Sequence, residues 1–228
     1  MDNLISRRGL VGAAFAFPLL ALSGCAGGFG FNLEEAVRRL LTVSSHRAFA
    51  RLLEENGFFA HDVARVVLPP ELGGNGPTTL LAALLRTPAV RERLLRQVNK
   101  AAGEAADVTA PIVLQSIRGM SIGDALSIVR GGSTAATDYL QRRMGNAIFD
   151  AMLPEVGEAL RLFDSEIVSQ ALRATTGIDF AGLRRDVALK ASQGIYRAIA
   201  QEEAAIRADP SATGDPLLGA VFGVLRPR

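Results

Sequence analysis

The chain has 228 residues, 49% of them hydrophobic and 21% charged, with a formal net charge of +2. That balance excludes an intrinsically disordered chain, and it carries no basic stripe of the kind that tracks nucleic acid. A single cysteine and two histidines leave no internal disulfide and no cysteine-based zinc site, so a folded domain must rely on an apolar core.

The first segment, Met1 to Arg8, carries Arg7 and Arg8, and Gly9 to Leu22 is uncharged and rich in Ala, Leu and Phe. This run is too short to cross roughly 30 Å of hydrocarbon as a stable helix. It reads instead as the apolar part of a cleaved export signal over residues 1–24. Leu22-Ser23-Gly24-Cys25 resembles the lipobox of bacterial lipoproteins. The resemblance implies that the Cys25 thiol is diacylated, that the signal is cut before it, and that the new amino terminus is acylated in turn, with palmitate as the expected kind of chain. Two or more chains at about 0.8 kcal/mol per buried CH₂ make a stable anchor, whereas one is marginal. Ser6-Arg7-Arg8-Gly9-Leu10-Val11 is similar to a twin-arginine signal, which would export the domain already folded. Leu10 stands where such signals often have Phe, and general export of the unfolded chain stays open. Ala26 rather than Asp after the cysteine fits transfer to an outer membrane, facing the periplasm, in organisms that sort by that residue.

Residues 25–31 read as the lipidated cysteine and a short flexible tether, at most about 20 Å long when extended, which would hold the domain close to its membrane. Asn32 with Glu35 forms a capping-box-like start, and Leu33, Val37, Leu40, Leu41, Ala48 and Leu52 recur at helical spacing until Gly57. Pro69-Pro70 and Gly73-Gly74 break the pattern from Phe58 to Gly76, a loop with room for a helical turn near Asp62 to Val66. Helical spacing returns over Thr78 to Arg86, and Pro88 opens a long Ala- and Leu-rich stretch that Pro111 should kink or restart before Arg118. Ser121 with Asp124 caps a helix that stops at Gly131-Gly132, and Ser133 or Thr134 starts another to about Met152. Further helices fit Pro154 to Phe163 and Ser165 to Thr175, with Gly177 as a left-handed stop. Asp179 caps the longest, Phe180 to Arg207, and Pro216 to Phe222 closes the series. No segment alternates apolar and polar residues between turn signals, so residues 32–228 are expected to form an all-α, single, bundle-like domain of roughly eight to ten helices.

Four segments carry a resemblance together: Asn99-Lys100-Ala101-Ala102, Met120 to Ala125, Gly131-Gly132-Ser133-Thr134-Ala135-Ala136-Thr137-Asp138-Tyr139, and Glu202-Glu203-Ala204-Ala205-Ile206-Arg207-Ala208-Asp209-Pro210. In order and spacing the chain resembles, from about Asn32 to Gly223, a bacterial family catalogued as domain of unknown function 4197. The resemblance implies an exported, mostly helical envelope protein and brings no activity with it. His61, the run Val66 to Pro70, Met144 and Ser192-Gln193-Gly194 depart from the family's usual residues at those places.

The polar centre suggested by the pattern is Glu202. Ile195, Ile199, Glu202 and Ile206 step along one helix face, and a carboxylate on an apolar stripe needs an arginine, a helix N-terminus or a cation. Arg130, Arg142 and Arg143 are the candidate partners, either as part of a binding centre or as an ion pair that registers helices. Glu203 and Arg207 fall on a neighbouring, more polar face, where their spacing gives only a few tenths of a kcal/mol of helix support. Gly131-Gly132-Ser133-Thr134 could offer backbone N–H groups to an anion, but a helix end followed by a helix start accounts for it with no ligand at all and is the preferred reading. His46 and His61 form no His-Glu-x-x-His motif, no Gly-x-Ser-x-Gly is present, and neither cofactor nor metal is implied. The sequence therefore points to a non-enzymatic, membrane-anchored envelope lipoprotein that binds another envelope protein or the cell wall. The alternative is a periplasmic lipid or small-molecule carrier with an apolar cavity gated by the Phe58 to Gly76 loop.

Overall fold

A computed structural model describes residues 26–68, 87–161 and 179–224, together with residues 166, 169, 170, 173 and 177. The signal residues Arg7, Arg8, Leu22, Ser23 and Gly24, the acylation candidate Cys25 and the helix expected over Thr78 to Arg86 lie outside them. Among the described residues the fold is all-α, with eight α-helices: α1 (Ala26–Leu52), α2 (Gly57–Ala60), α3 (Pro88–Arg118), α4 (Ala125–Arg130), α5 (Ala135–Met144), α6 (Ala147–Ala159), α7 (Phe180–Ala208) and α8 (Pro216–Val224). A 3-10 turn, Pro210–Thr213, joins the last two.

The four long helices make a bundle in which α1 packs on α3 and α7, and α6 packs on the same two from the other side. At the middle of α1, Arg38 donates from Nη2 to the Met120 carbonyl just past the end of α3, at 3.1 Å. At the last residue of α1, the Leu52 carbonyl faces Gly103 at the middle of α3. The two helices are therefore antiparallel. Arg51 meets Glu202 at 2.5 Å and Arg39 meets Asp215 at 3.0 Å, so α7 also runs against α1. Met144 and Ala147 share a cleft with Ser116, Gly119 and Met120, which places the start of α6 beside the end of α3. Neighbours alternate in direction around the square α1, α3, α6, α7, an up-down-up-down order.

Sequence pattern accounts for this packing. Val37, Leu40, Leu41, Ala48 and Leu52 of α1 are all at most 1% exposed, as the helical stripe requires. At its middle the buried face of α3 is Ala101, Ala102, Ala105 and Ala106, small side chains that let helix axes approach. Asp179 caps α7 by accepting from the Gly182 N–H at 2.9 Å, and Gly177 precedes it with φ +74°.

Several boundaries differ from the sequence expectation. Helix α1 begins at Ala26, so residues 26–31 are helical rather than a free tether. Glu35 does not reach back towards Asn32, because its carboxylate is held forward by Arg38 at 3.2 Å and Arg39 at 3.5 Å. Pro111 does not interrupt α3. It lies on the exposed side, as does Asp107, so the carbonyl it leaves unbonded can take water instead. The helix expected to run to Met152 is broken at Gly145, with φ +53°, and α6 then passes through Pro154.

The loop after α2 is the least helix-like part. From Ala64 to Leu68 the backbone is a strap in which Ala64, Val66 and Leu68 are buried while Val67 is 57% exposed, the two-residue period of extended chain. Both backbone groups of Val66 bond to the Asn99 side chain, at 2.8 and 2.9 Å. On α7 a Cβ at position 194 would lie 2.7 Å from the Ala64 carbonyl oxygen. Gly194 is what lets the strap lie directly on the helix.

Candidate functional site

The buried polar centre is built on Glu203 and Arg207. Helix α7 is wedged between α1 on one side and α5 with α6 on another, so its buried surface is wider than one stripe. Ile199, Glu202, Glu203 and Ile206 are all buried together. Glu203 is fully enclosed, and its Oε1 accepts from the Ala136 N–H at 2.9 Å. Its Oε2 accepts from the Thr137 N–H at 2.7 Å and the Thr137 hydroxyl at 2.6 Å. Arg207 donates from Nε to Glu203 at 2.8 Å, from Nη1 to the Val129 carbonyl at 3.1 Å and from Nη2 to the Ile128 carbonyl at 3.0 Å. Its guanidinium also lies 4.8 Å from the centroid of the Phe222 ring.

One ion pair thus serves two helix ends at once. The carboxylate meets the positive, N–H-rich start of α5, and the guanidinium meets the negative, carbonyl-rich end of α4. Between them lies the Gly131-Gly132 turn. A Cβ on Gly131 would fall 2.6 Å from the Ala135 Cβ and 3.0 Å from the Ser127 carbonyl oxygen, whereas nothing lies within 4 Å of one on Gly132. The N–H groups of Ala136 and Thr137 that an external anion would need are already taken by Glu203.

Glu202 finds a different partner from those expected. Its side chain is 5% exposed and its carboxylate meets Arg51 of α1, itself 56% exposed. Arg130, Arg142 and Arg143 stay exposed on α4 and α5. The i, i+4 pair that the sequence pattern made minor is the enclosed one, and the reason is geometric: α5 covers a face of α7 that its own periodicity marks as polar. The hydroxyl and N–H of Thr137, in a segment that resembles the family pattern, were the available sign.

At the start of α8, Asp215 accepts from the N–H groups of Leu217 and Leu218 at 2.9 and 3.2 Å and from Arg39 at 3.0 Å. Its loss of water alone would raise the carboxyl pKa, but the Leu218 N–H, the Arg39 guanidinium and the Leu217 N–H outweigh it and hold it below the usual value. A cleft of about 460 Å³ lies where α1, α2 and α3 meet and carries Glu54, Glu55, Glu104 and Asp107 on its walls. Among the described residues no cluster of His, Cys, Asp and Glu could hold a metal ion, and no helix is long and apolar enough to cross a membrane. His46 is exposed on α1 and His61 half-buried after α2.

A protein-family profile described as "Protein of unknown function (DUF4197)" matches residues 30–223. No curated protein and no solved structure matches. The chain belongs to the DUF4197 family, and two of the four segments that resemble it, Gly131 to Tyr139 and Glu202 to Pro210, meet in the clasp of Thr137, Glu203 and Arg207.

Proposed function

We propose that this is a lipid-anchored envelope protein without enzymatic activity, tethered through acylated Cys25 to the outer membrane on its periplasmic side. Its helical domain is presented to another envelope protein or to the cell wall. The observation that carries the anchor is the order Arg7-Arg8, an uncharged run, then Leu22-Ser23-Gly24-Cys25. The inward turn of the clasp supports a binding or structural role over catalysis: the hydrogen-bonding capacity of Glu203 and Arg207 is spent on helix ends. A lipid carrier is less well supported, since the 460 Å³ cleft has four carboxylates on its walls, poor company for an acyl chain.

The test is mass spectrometry of the amino-terminal peptide from protein extracted from its own membranes, beside fractionation of a Cys25→Ala variant. An acylated Cys25 as first residue, and release of the variant from the membrane, is the expected result. An unmodified amino terminus, or a variant that stays membrane-bound, would overturn the anchor.

A further inference from the structure

The strap after α2 lies between α3 and α7 and is held as a separate peptide would be. Ala64, Val66 and Leu68 are at most 7% exposed, whereas Val63 and Arg65 are half-buried and Val67 is exposed. Three side chains from the two helices take the place of a neighbouring strand. Asn99 of α3 is 2% exposed; its Oδ1 accepts from the Val66 N–H at 2.8 Å and its Nδ2 donates to the Val66 carbonyl at 2.9 Å. A side-chain amide carries acceptor and donor side by side, so it reproduces the pair of bonds that a strand residue makes. From α7, Lys190 donates to the Val67 carbonyl at 3.0 Å and Arg197 donates through Nε to the Val63 carbonyl at 2.6 Å.

Burial alone does not require this arrangement. An enclosed main chain must find partners, which accounts for Asn99, but the bonds from Lys190 and Arg197 lie at the surface, where water would serve those carbonyls as well. Two of the donors are also positioned by their own helices. Asp186 holds Lys190 at 2.7 Å, and the Leu95 carbonyl accepts a second bond from Asn99 Nδ2 at 2.8 Å. Lys190, Gly194 and Arg197 step by four and three residues along one face of α7. Gly194 stands between the two donors, at the point where the Ala64 carbonyl comes closest to the helix. All four bonds end on main-chain atoms, so they recognise that a chain is extended and not which side chains it carries. Side chains enter only through the three buried positions.

We infer that the groove between α3 and α7 is a receptor for extended polypeptide, which the strap fills in cis and a segment of a partner protein fills in its place. The strap itself shows that one extended chain reaches Asn99, Lys190 and Arg197 at once, and it shows the chemistry of the incoming segment: uncharged small or branched side chains at every second position. Exchange conserves the bonds, because they are made to main chain. Residues 65–68 belong to no helix or sheet, so the strap gives up no ladder of its own on leaving. The inference deepens the reading that the domain binds another envelope protein and rests on it, but it does not depend on the anchor.

The experiment is fluorescence anisotropy on the full chain in detergent, with a labelled, end-capped peptide of the strap sequence Val63 to Leu68 as the probe. Binding is measured to the parent chain and to two variants. Val66→Asp expels the strap by burying a charge, and Val66→Ala only loosens it, which keeps the test open should the first variant not fold. Two altered peptides serve as comparisons: one with Arg65 and Val66 exchanged, which turns the charge inward, and one N-methylated at Val66, which has no N–H for Asn99. Saturable binding is expected in the variants, about tenfold weaker in the parent chain, where the strap competes, and about tenfold weaker for either altered peptide. Absence of saturable binding in a variant of native helix content, equal binding by all three proteins, or equal binding of the altered peptides would each overturn the proposal. A dimer that the peptide dissolves would place a second copy in the groove and overturn the choice of partner. A chain that crosslinks to an envelope protein yet ignores every peptide would keep the binding reading and overturn the groove alone.

Discussion

Glu202 and Glu203 are neighbours of the same type on one helix, and their surroundings make them unequal. Glu203 is bonded by two N–H groups, a hydroxyl and a guanidinium whose side chain is only 10% exposed. Removing it would strand Arg207 and the first turn of α5 without counter-charge. Glu203→Ala should lower the unfolding free energy by about 3–5 kcal/mol, the range for breaking an enclosed pair from one side. Glu202→Gln should cost about 1 kcal/mol or less, because its partner Arg51 is largely solvated. Urea denaturation of the two variants separates the cases, and equal losses would mean that the clasp does not hold the helix ends as described. The contrast marks where sequence reasoning stops. Ile195, Ile199 and Ile206 define a stripe that includes Glu202, and burial of Glu202 followed from it. The burial of Glu203 depends on α5 lying across α7, a tertiary arrangement that no period within one helix can carry.

Among the elements, the turn between α4 and α5 shows how two adjacent glycines differ in purpose. At Gly131 the obstacle is space, since an added Cβ would collide with Ala135 and crowd the Ser127 carbonyl, while Gly132 has open surroundings. Gly131→Ala should destabilise by about 1–3 kcal/mol, in line with overpacking, and Gly132→Ala by no more than about 0.5 kcal/mol. Thermal melts of the pair provide the check. At the other end of the fold Asp215 ties α8 to α1, and its lowered pKa gives the tie a pH dependence. A carboxyl whose folded pKa is depressed stabilises fully above its ordinary value of 3.8, and that stabilisation is lost as pH falls through the folded value. Asp215→Asn should therefore show a shallower acid loss than the parent chain in denaturation series taken downward from pH 5. A parallel loss in both proteins would show that the linkage lies elsewhere. The cap that Asp215 makes on Leu217 and Leu218 is as local as that of Asp179 on Gly182, whereas its tie to Arg39, 176 positions away, leaves no mark on the neighbouring sequence.

For the whole molecule, helix content and the ends of α3, α7 and α8 followed from stripes, prolines and caps that act locally. The strap did not: Val66 is extended because Asn99 supplies both of its backbone partners, and side-chain amides on a distant helix leave no mark on the strap's own sequence. The same distinction predicts where the fold opens first. Native-state hydrogen exchange should find the slowest amides in α1 and α7, which pack along each other and each on two further sides, and faster ones in α8 and the turn before it. Uniform exchange across all helices would contradict this order. The antiparallel packing of α1 between α3 and α7 has a mechanical side as well. A pull on residue 26 along the axis of α1 loads both flanking interfaces in shear, so that many contacts must yield together, whereas a sideways pull would peel them apart one turn at a time. A load entering through that helix is shared by the whole bundle before any single helix gives way.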